Sequence, residues 1–256
     1  PLQPALAGQI PEATWLLLPN ELGIISENAA DMVRKQSEKA KALLMGPGWG
    51  VEETTQIFVE RLLQVKEVPM VHPMGFVPSR TALEALEDNL LPPSVIDADG
   101  LKLLAKINAW PKYLNNQTVL TPHPGEMAIL TGLPIQDIQA DRIHIAEKYA
   151  QEWGKTVVLK GAATVIASPD GRSAVVPVAT SALAKGGTGD VLAGMITGLL
   201  AQGCDAYSAG LCGAWIHAQA GLVAMEEIGN PASVLASDVA LAIPEVLNQL
   251  GVSDTL

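Results

Sequence analysis

Six consecutive residues, Lys185-Gly186-Gly187-Thr188-Gly189-Asp190, carry the strongest chemical signal in the chain. They stand where a loop enters the apolar run Val191-Leu192-Ala193-Gly194, the start of an expected helix. Glycines there let a backbone approach a phosphate, and first-turn N–H groups with the helix dipole make an anion site. Asp190 falls in the first turn beside that anion hole. The same residues also read as an ordinary helix N-terminus with Asp190 as dipole partner. Their spacing matches neither a Walker loop nor a G-x-G-x-x-G turn.

Further polar groups cluster where apolar runs end. Thr121-Pro122-His123-Pro124-Gly125-Glu126 follows one run and opens a helix, with prolines fixing His123 in a stiff turn. His123 is either a structural hydrogen-bonder or a catalyst. Gly46-Pro47-Gly48 ends another run in what is otherwise ordinary turn chemistry. Asp97-Ala98-Asp99-Gly100 offers two carboxylates for a water-bound magnesium, with Asp99 as helix cap the competing reading. Lys160-Gly161-Ala162-Ala163-Thr164 places an ammonium and a hydroxyl where a nucleotide phosphate or ribose could meet them. Ligands of open α/β sheets bind at the carboxyl ends of strands. Such groups at successive strand ends are hard to dismiss as turns.

The elements that must position them alternate, short apolar runs with helical patterns, as in βαβ units with a mainly parallel sheet. Strands are expected at 15–18, 42–45, 95–97, 118–120 and 156–159. A hairpin of 163–167 and 173–177 turns at Pro169-Asp170-Gly171. Helices are expected from a Ser26 cap to about 40, and at 52–65, 100–107, from 125, 138–153, 187–201, 206–226 and 237–249. The Pro-rich stretch 68–93 reads as a surface excursion. His72, His144 and His217 receive no role.

The chain has 256 residues, 48% hydrophobic and 17% charged, enough to bury a sizeable core in one domain spanning 1–256. A net charge of −11 argues against nucleic-acid binding, so an anionic ligand must be held locally. Cys204 and Cys212 form neither a zinc spacing nor a disulfide framework, which points to a reducing cytoplasm. No apolar run is long enough to span a bilayer, and Pro1-Leu2-Gln3-Pro4 lacks the basic start of a signal peptide.

Taken together, Gly46-Pro47-Gly48-Trp49-Gly50, Val95-Ile96-Asp97-Ala98-Asp99, the segment 121–126, the segment 158–164 and the segment 186–194 resemble the NAD(P)H-hydrate dehydratase family. So does Leu235-Ala236-Ser237-Asp238-Val239. The likeness runs from about residue 42 to the C-terminus, apart from 68–93. It implies a ribokinase-like α/β fold with a mainly parallel central sheet flanked by helices. The family's opening strand and Gly-rich turn would precede Pro1, so the first βαβ unit is expected to be missing from this chain. Where the family has Asp-Ala-Asp-Ala-Leu-Asn, this chain reads Asp97-Ala98-Asp99-Gly100-Leu101-Lys102.

The implied reaction is repair of NADH or NADPH hydrated at the nicotinamide ring. The C6 hydroxyl is phosphorylated at the expense of ADP or ATP, with magnesium, and phosphate is then eliminated. In that reading Asp190 is the general base and a substrate contact. Lys160, Gly161, Ala162, Ala163, Thr164, Gly187, Thr188 and Gly189 hold the nucleotide, and Gly48 and His123 face the hydrate. Glu126 orders magnesium through water. A homo-oligomer is expected. A small-molecule kinase of a vitamin precursor would share Asp190 and the anion hole, although such kinases more usually carry N-x-x-E where His123–Glu126 stands. A non-catalytic nucleotide-binding subunit is the other alternative.

Overall fold

The computed structural model describes residues 2–65 and 90–251. The sheet that organises them has six strands in chain order: β3 (Leu43–Met45), β4 (Ser94–Ile96), β5 (Val119–Leu120), β6 (Thr156–Leu159), β7 (Thr164–Ala167) and β8 (Ser173–Val176). The first four run parallel and the β7–β8 hairpin is antiparallel to its neighbours. Before it, β1 (Asn20–Glu21) and β2 (Ile24–Ile25) form a separate two-stranded ribbon.

Parallel strands laid down in sequential order with right-handed crossovers must carry all their connections on one face. Among the described residues the helices of those connections are α3 (Glu53–Leu62), α4 (Asp99–Leu104), α5 (Pro124–Thr131), α6 (Ile135–Ala140) and α7 (Arg142–Trp153). Their Phe58, Leu62, Leu101, Met127, Ile138 and Trp153 pack with Met45, Ile96, Leu120, Val157 and Leu159 of the strands. The alternate strand residues Val95, Val119 and Val158 face the other way. There they meet Leu192, Ile196 and Leu200 of α8 (Thr188–Ala201), and Ala209 and Ala214 of α9 (Ala206–Ile228). A period of two with both faces covered is why these strands read as continuous apolar runs rather than alternating ones. The last helix, α10 (Ala236–Gln249), packs on α9 and accommodates Pro244 within it.

Three expectations are corrected. Residues 15–18 form no strand; Trp15, Leu16 and Leu17 are exposed, with no strand among the described residues beside them to complete a ladder. The helix expected from Ser26 is α2 (Ala29–Ser37), and its N-cap is Asn28. Ser26 contributes its carbonyl, which accepts from the Ala29 N–H (3.0 Å). The long helix 138–153 is two, broken at Asp141 (φ −143°, ψ 59°), whose turn re-aims Arg142 at the β6–β7 loop. Most of 68–93 lies outside the described residues.

Candidate active site

Hydrogen bonding across the sheet continues one residue past the strand ends, and this brings the polar residues together. The Asp97 N–H donates to the Met45 carbonyl (3.1 Å), Thr121 N–H to Ile96 (3.2 Å) and Lys160 N–H to Pro122 (2.8 Å). Gly46 allows the close approach at the first of these ends. Its φ is +118°, and any Cβ there would collide with the Asp97 carbonyl oxygen.

At the centre the Lys160 ammonium donates to Asp97 Oδ1 at 2.6 Å and lies 3.7 Å from Glu126 Oε2. Asp97 and Glu126 are 1% and 4% exposed, so this is a buried cluster with one negative charge in excess. Gly189, at the N-terminus of α8, closes over it: a Cβ there would sit 3.5 Å from Lys160 Nζ and 3.9 Å from Asp97 Oδ2. Thus the N-terminus of α8, the lysine and two carboxylates meet at one point, although they come from four separate stretches of chain. Among the described residues no three His, Cys, Asp or Glu side chains form a cation cage.

His123 is the N-cap of α5. Its Nδ1 accepts from the Gly125 N–H (3.0 Å) and the Glu126 N–H (3.2 Å), and Glu126 Oε2 accepts in return from the His123 N–H (2.8 Å). The capping box fixes the tautomer. With Nδ1 accepting, the neutral ring carries its proton on Nε2, which lies 3.5 Å from Glu126 Oε1. The structural reading of His123 is therefore realised, and its half-exposed side chain still borders a cleft.

That cleft, about 770 Å³, runs from His123 past Lys160 and Gly189 to an apolar end at Val176, Val178 and Leu183. Arg142 braces its rim from below, donating to the carbonyls of Ala162 and Leu159 (2.8 Å to the latter). Burial lowers the Arg142 pKa from its ordinary value. Gly161 (φ +151°) must lack a side chain, because a Cβ would stand 2.8 Å from Arg142 Nη2.

Of the residues singled out from sequence, Lys160, Gly161, Ala162, Thr164, Thr188, Gly189 and His123 line this cleft. Ala163 is adjacent, its N–H donating to the Val178 carbonyl (3.1 Å), and Gly187 is the N-cap of α8. The Thr188 hydroxyl is committed internally, to the carbonyls of Leu183 (2.7 Å) and Lys185 (2.9 Å), and its N–H also donates to the Lys185 carbonyl (3.4 Å). Asp190 is exposed in the first turn of α8, one residue beyond Gly189, and Gly48 is exposed beyond β3 with φ +72°. Neither lines the cleft. Asp99 is not the cap of α4, which is Ala98. Its carboxylate accepts from Lys102 (2.9 Å) and from the Gly50 N–H (3.0 Å), and these hold its pKa below the ordinary range.

The sequence is silent on two features of this region. It offers Asp97 only as a magnesium carboxylate, and the pairing with Lys160 has no local signal. His217, buried on α9 and lining the cleft, had no role; a lone polar residue on the small-residue face Gly213, Ala214, Ala218, Gly221 was the available clue.

With this geometry established, comparison with known proteins is decisive. Residues 10–245 match the family described as NAD(P)H-hydrate dehydratase. The chain belongs to the NAD(P)H-hydrate dehydratase family. It is 36% identical over 250 residues to a bifunctional NAD(P)H-hydrate repair enzyme of Moorella thermoacetica, covering 97% of this chain and 42% of that protein. It is 40% identical over 161 residues to an ADP-dependent (S)-NAD(P)H-hydrate dehydratase of Neisseria meningitidis, covering 62% and 54%. The chain thus spans roughly half or less of these family members. Among solved structures, the ADP/ATP-dependent NAD(P)H-hydrate dehydratase of Bacillus subtilis, crystallised with ATP and magnesium, superposes with a TM-score of 0.70 at 28% identity. That alignment covers 96% of this chain and 77% of the other. The ribokinase-like fold expected of the family is the fold observed.

Proposed function

We propose that this chain dehydrates hydrated NADH and NADPH, consuming ADP and releasing AMP and phosphate. The observation that carries the reading is the Lys160–Asp97–Glu126 cluster beneath Gly189, a phosphate-transfer centre opening on a nucleotide-sized cleft. Family membership supplies the substrate class.

Hydroxide is a poor leaving group, so the ring hydroxyl must first be activated. Asp190 takes its proton as general base while the hydroxyl oxygen attacks the terminal phosphorus of ADP and the bond to AMP breaks. First-turn N–H groups of 187–189 and Lys160 meet the charge that builds on the phosphoryl oxygens. The ring nitrogen's electron pair then expels phosphate, and loss of a proton from the neighbouring ring carbon restores the dihydronicotinamide. Gly48 and His123 border the hydrate, His123 offering its Nε2–H, and Lys160 with 161–164 borders the nucleotide.

Magnesium suits the donor set. Asp97 and Glu126 carry two charges against one ammonium, and a hydrated divalent cation shared with phosphates takes only one or two carboxylates. Glu126 would hold it through water, and the ion would supply charge neutralisation at the phosphates. We also propose a cytoplasmic homo-oligomer; the free thiols of Cys204 and Cys212 fit a reducing compartment. Among the described residues no helix is long and apolar enough to cross a membrane.

Competition between substrates tests the proposal. The protein, with magnesium and ADP or ATP, is given hydrated NADH alongside hydroxymethyl-pyrimidine and thiazole alcohols. Recovery of reduced-nicotinamide absorbance with one nucleotide consumed per turnover is expected. A stable phosphorylated alcohol with no such recovery would instead make it a kinase.

A further inference from the structure

His217 reaches the cleft from α9, on the same helical face as Ala214 and Ala218 and opposite Thr188 and Leu192. It is 7% exposed, and its Nε2 is buried with no hydrogen-bond partner among the described residues. Native interiors seldom leave such a group unpaired, because desolvation without a partner is costly. An orphan that borders a cleft is a group awaiting a ligand. We propose that His217 reads the nucleoside half of the bound nucleotide, its Nε2 pairing with an uncharged hydroxyl or base nitrogen. This rests on the cleft being the nucleotide site, as proposed above.

The chemistry selects an uncharged partner. Burial pushes the His217 pKa down to about 4, with Lys160 acting in the same direction and the Thr188 carbonyl against it. The ring is therefore neutral at neutral pH and presents one donor and one acceptor. Phosphate oxygens are better served by Lys160 and the N-terminus of α8. The Thr188 carbonyl can only accept, so it keeps the ring proton on the other nitrogen and leaves Nε2 an acceptor, which a ribose hydroxyl can meet by donating. Of the base nitrogens, only an amino group can do the same.

Calorimetry on wild type, His217→Leu and His217→Gln with ADP, 2′-deoxy-ADP and inorganic pyrophosphate tests this, together with melting curves without ligand. His217→Leu should bind ADP about tenfold or more weakly, the scale of one lost buried hydrogen bond, with pyrophosphate affinity unchanged. His217→Gln, whose amide oxygen can accept where Nε2 accepted, should recover most of the loss. The unliganded Leu variant should melt no lower than wild type, since an unpaired polar group has been removed. If the Leu variant also erases a wild-type preference for ADP over 2′-deoxy-ADP, the partner is the ribose hydroxyl; an equal loss for both assigns the base. Equal ADP affinity in all three proteins overturns the proposal. So does parallel weakening of pyrophosphate, or a lower melting temperature with affinity intact. Wild type that binds no ADP refutes the nucleotide reading itself, and this inference with it.

Discussion

Removing Lys160 from its buried pair with Asp97 should cost far more than removing Asp97. The Asp97 side chain is 2% exposed and its ammonium partner is 2.6 Å away, so Lys160→Met strands a buried carboxylate. Breaking a buried pair from one side costs about 3–5 kcal/mol. At roughly 2–4 °C per kcal/mol for a domain of this size, the melting temperature should fall by about 6–20 °C. Asp97→Asn should cost only about 1–2 kcal/mol, because Lys160 can turn to Glu126, 3.7 Å away. The double variant should recover much of the Lys160→Met loss, giving a coupling energy of about 2 kcal/mol or more. Urea unfolding of the four proteins measures the cycle. Additivity to within about 0.5 kcal/mol would refute the pairing and, with it, the premise that these strand ends form one electrostatic unit.

Asp190→Asn keeps size and dipole position but cannot take a proton. Turnover should fall about 100-fold or more, with nucleotide affinity little changed and stability lowered by less than about 1 kcal/mol, in steady-state kinetics with parallel melts. Gly161→Ala drives a methyl into Arg142 at a left-handed backbone position, so calorimetry should show weakened ADP binding with pyrophosphate affected less. Acid stability depends on His217. Its folded pKa of about 4 lies below the ordinary 6.5, so the unfolded chain takes up the proton first and stability falls as pH drops from about 6.5 towards 4. The loss is roughly 3 kcal/mol, and His217→Leu should flatten the unfolding free energy by about that amount over the same range.

Much of this arrangement was legible because its determinants are local. The run Thr156–Leu159, the Pro169-Asp170-Gly171 turn and the glycine-rich start of α8 each declare themselves within a few residues. What stayed hidden depends on partners far along the chain. Lys160 and Asp97 are 63 residues apart and meet only because β4, β5 and β6 are adjacent and parallel. The apolar run at 15–18 looks like a strand locally but has no strand to pair with among the described residues. The break at Asp141 follows no proline or glycine; it serves the bonds from Arg142 to the β6–β7 loop. His217 looked inert because its meaning lies in what it fails to bond, which sequence does not record.

Whether a phosphate ester forms on the ring hydroxyl can be read from the fate of one atom. Hydrated NADH carrying heavy oxygen in that hydroxyl is incubated with the protein, magnesium and ADP, and the released phosphate and solvent are examined by mass spectrometry. Phosphorylation followed by elimination breaks the carbon–oxygen bond, so the label should appear in inorganic phosphate, one atom for each nicotinamide restored. Label recovered in water, with unlabelled phosphate, would contradict the account.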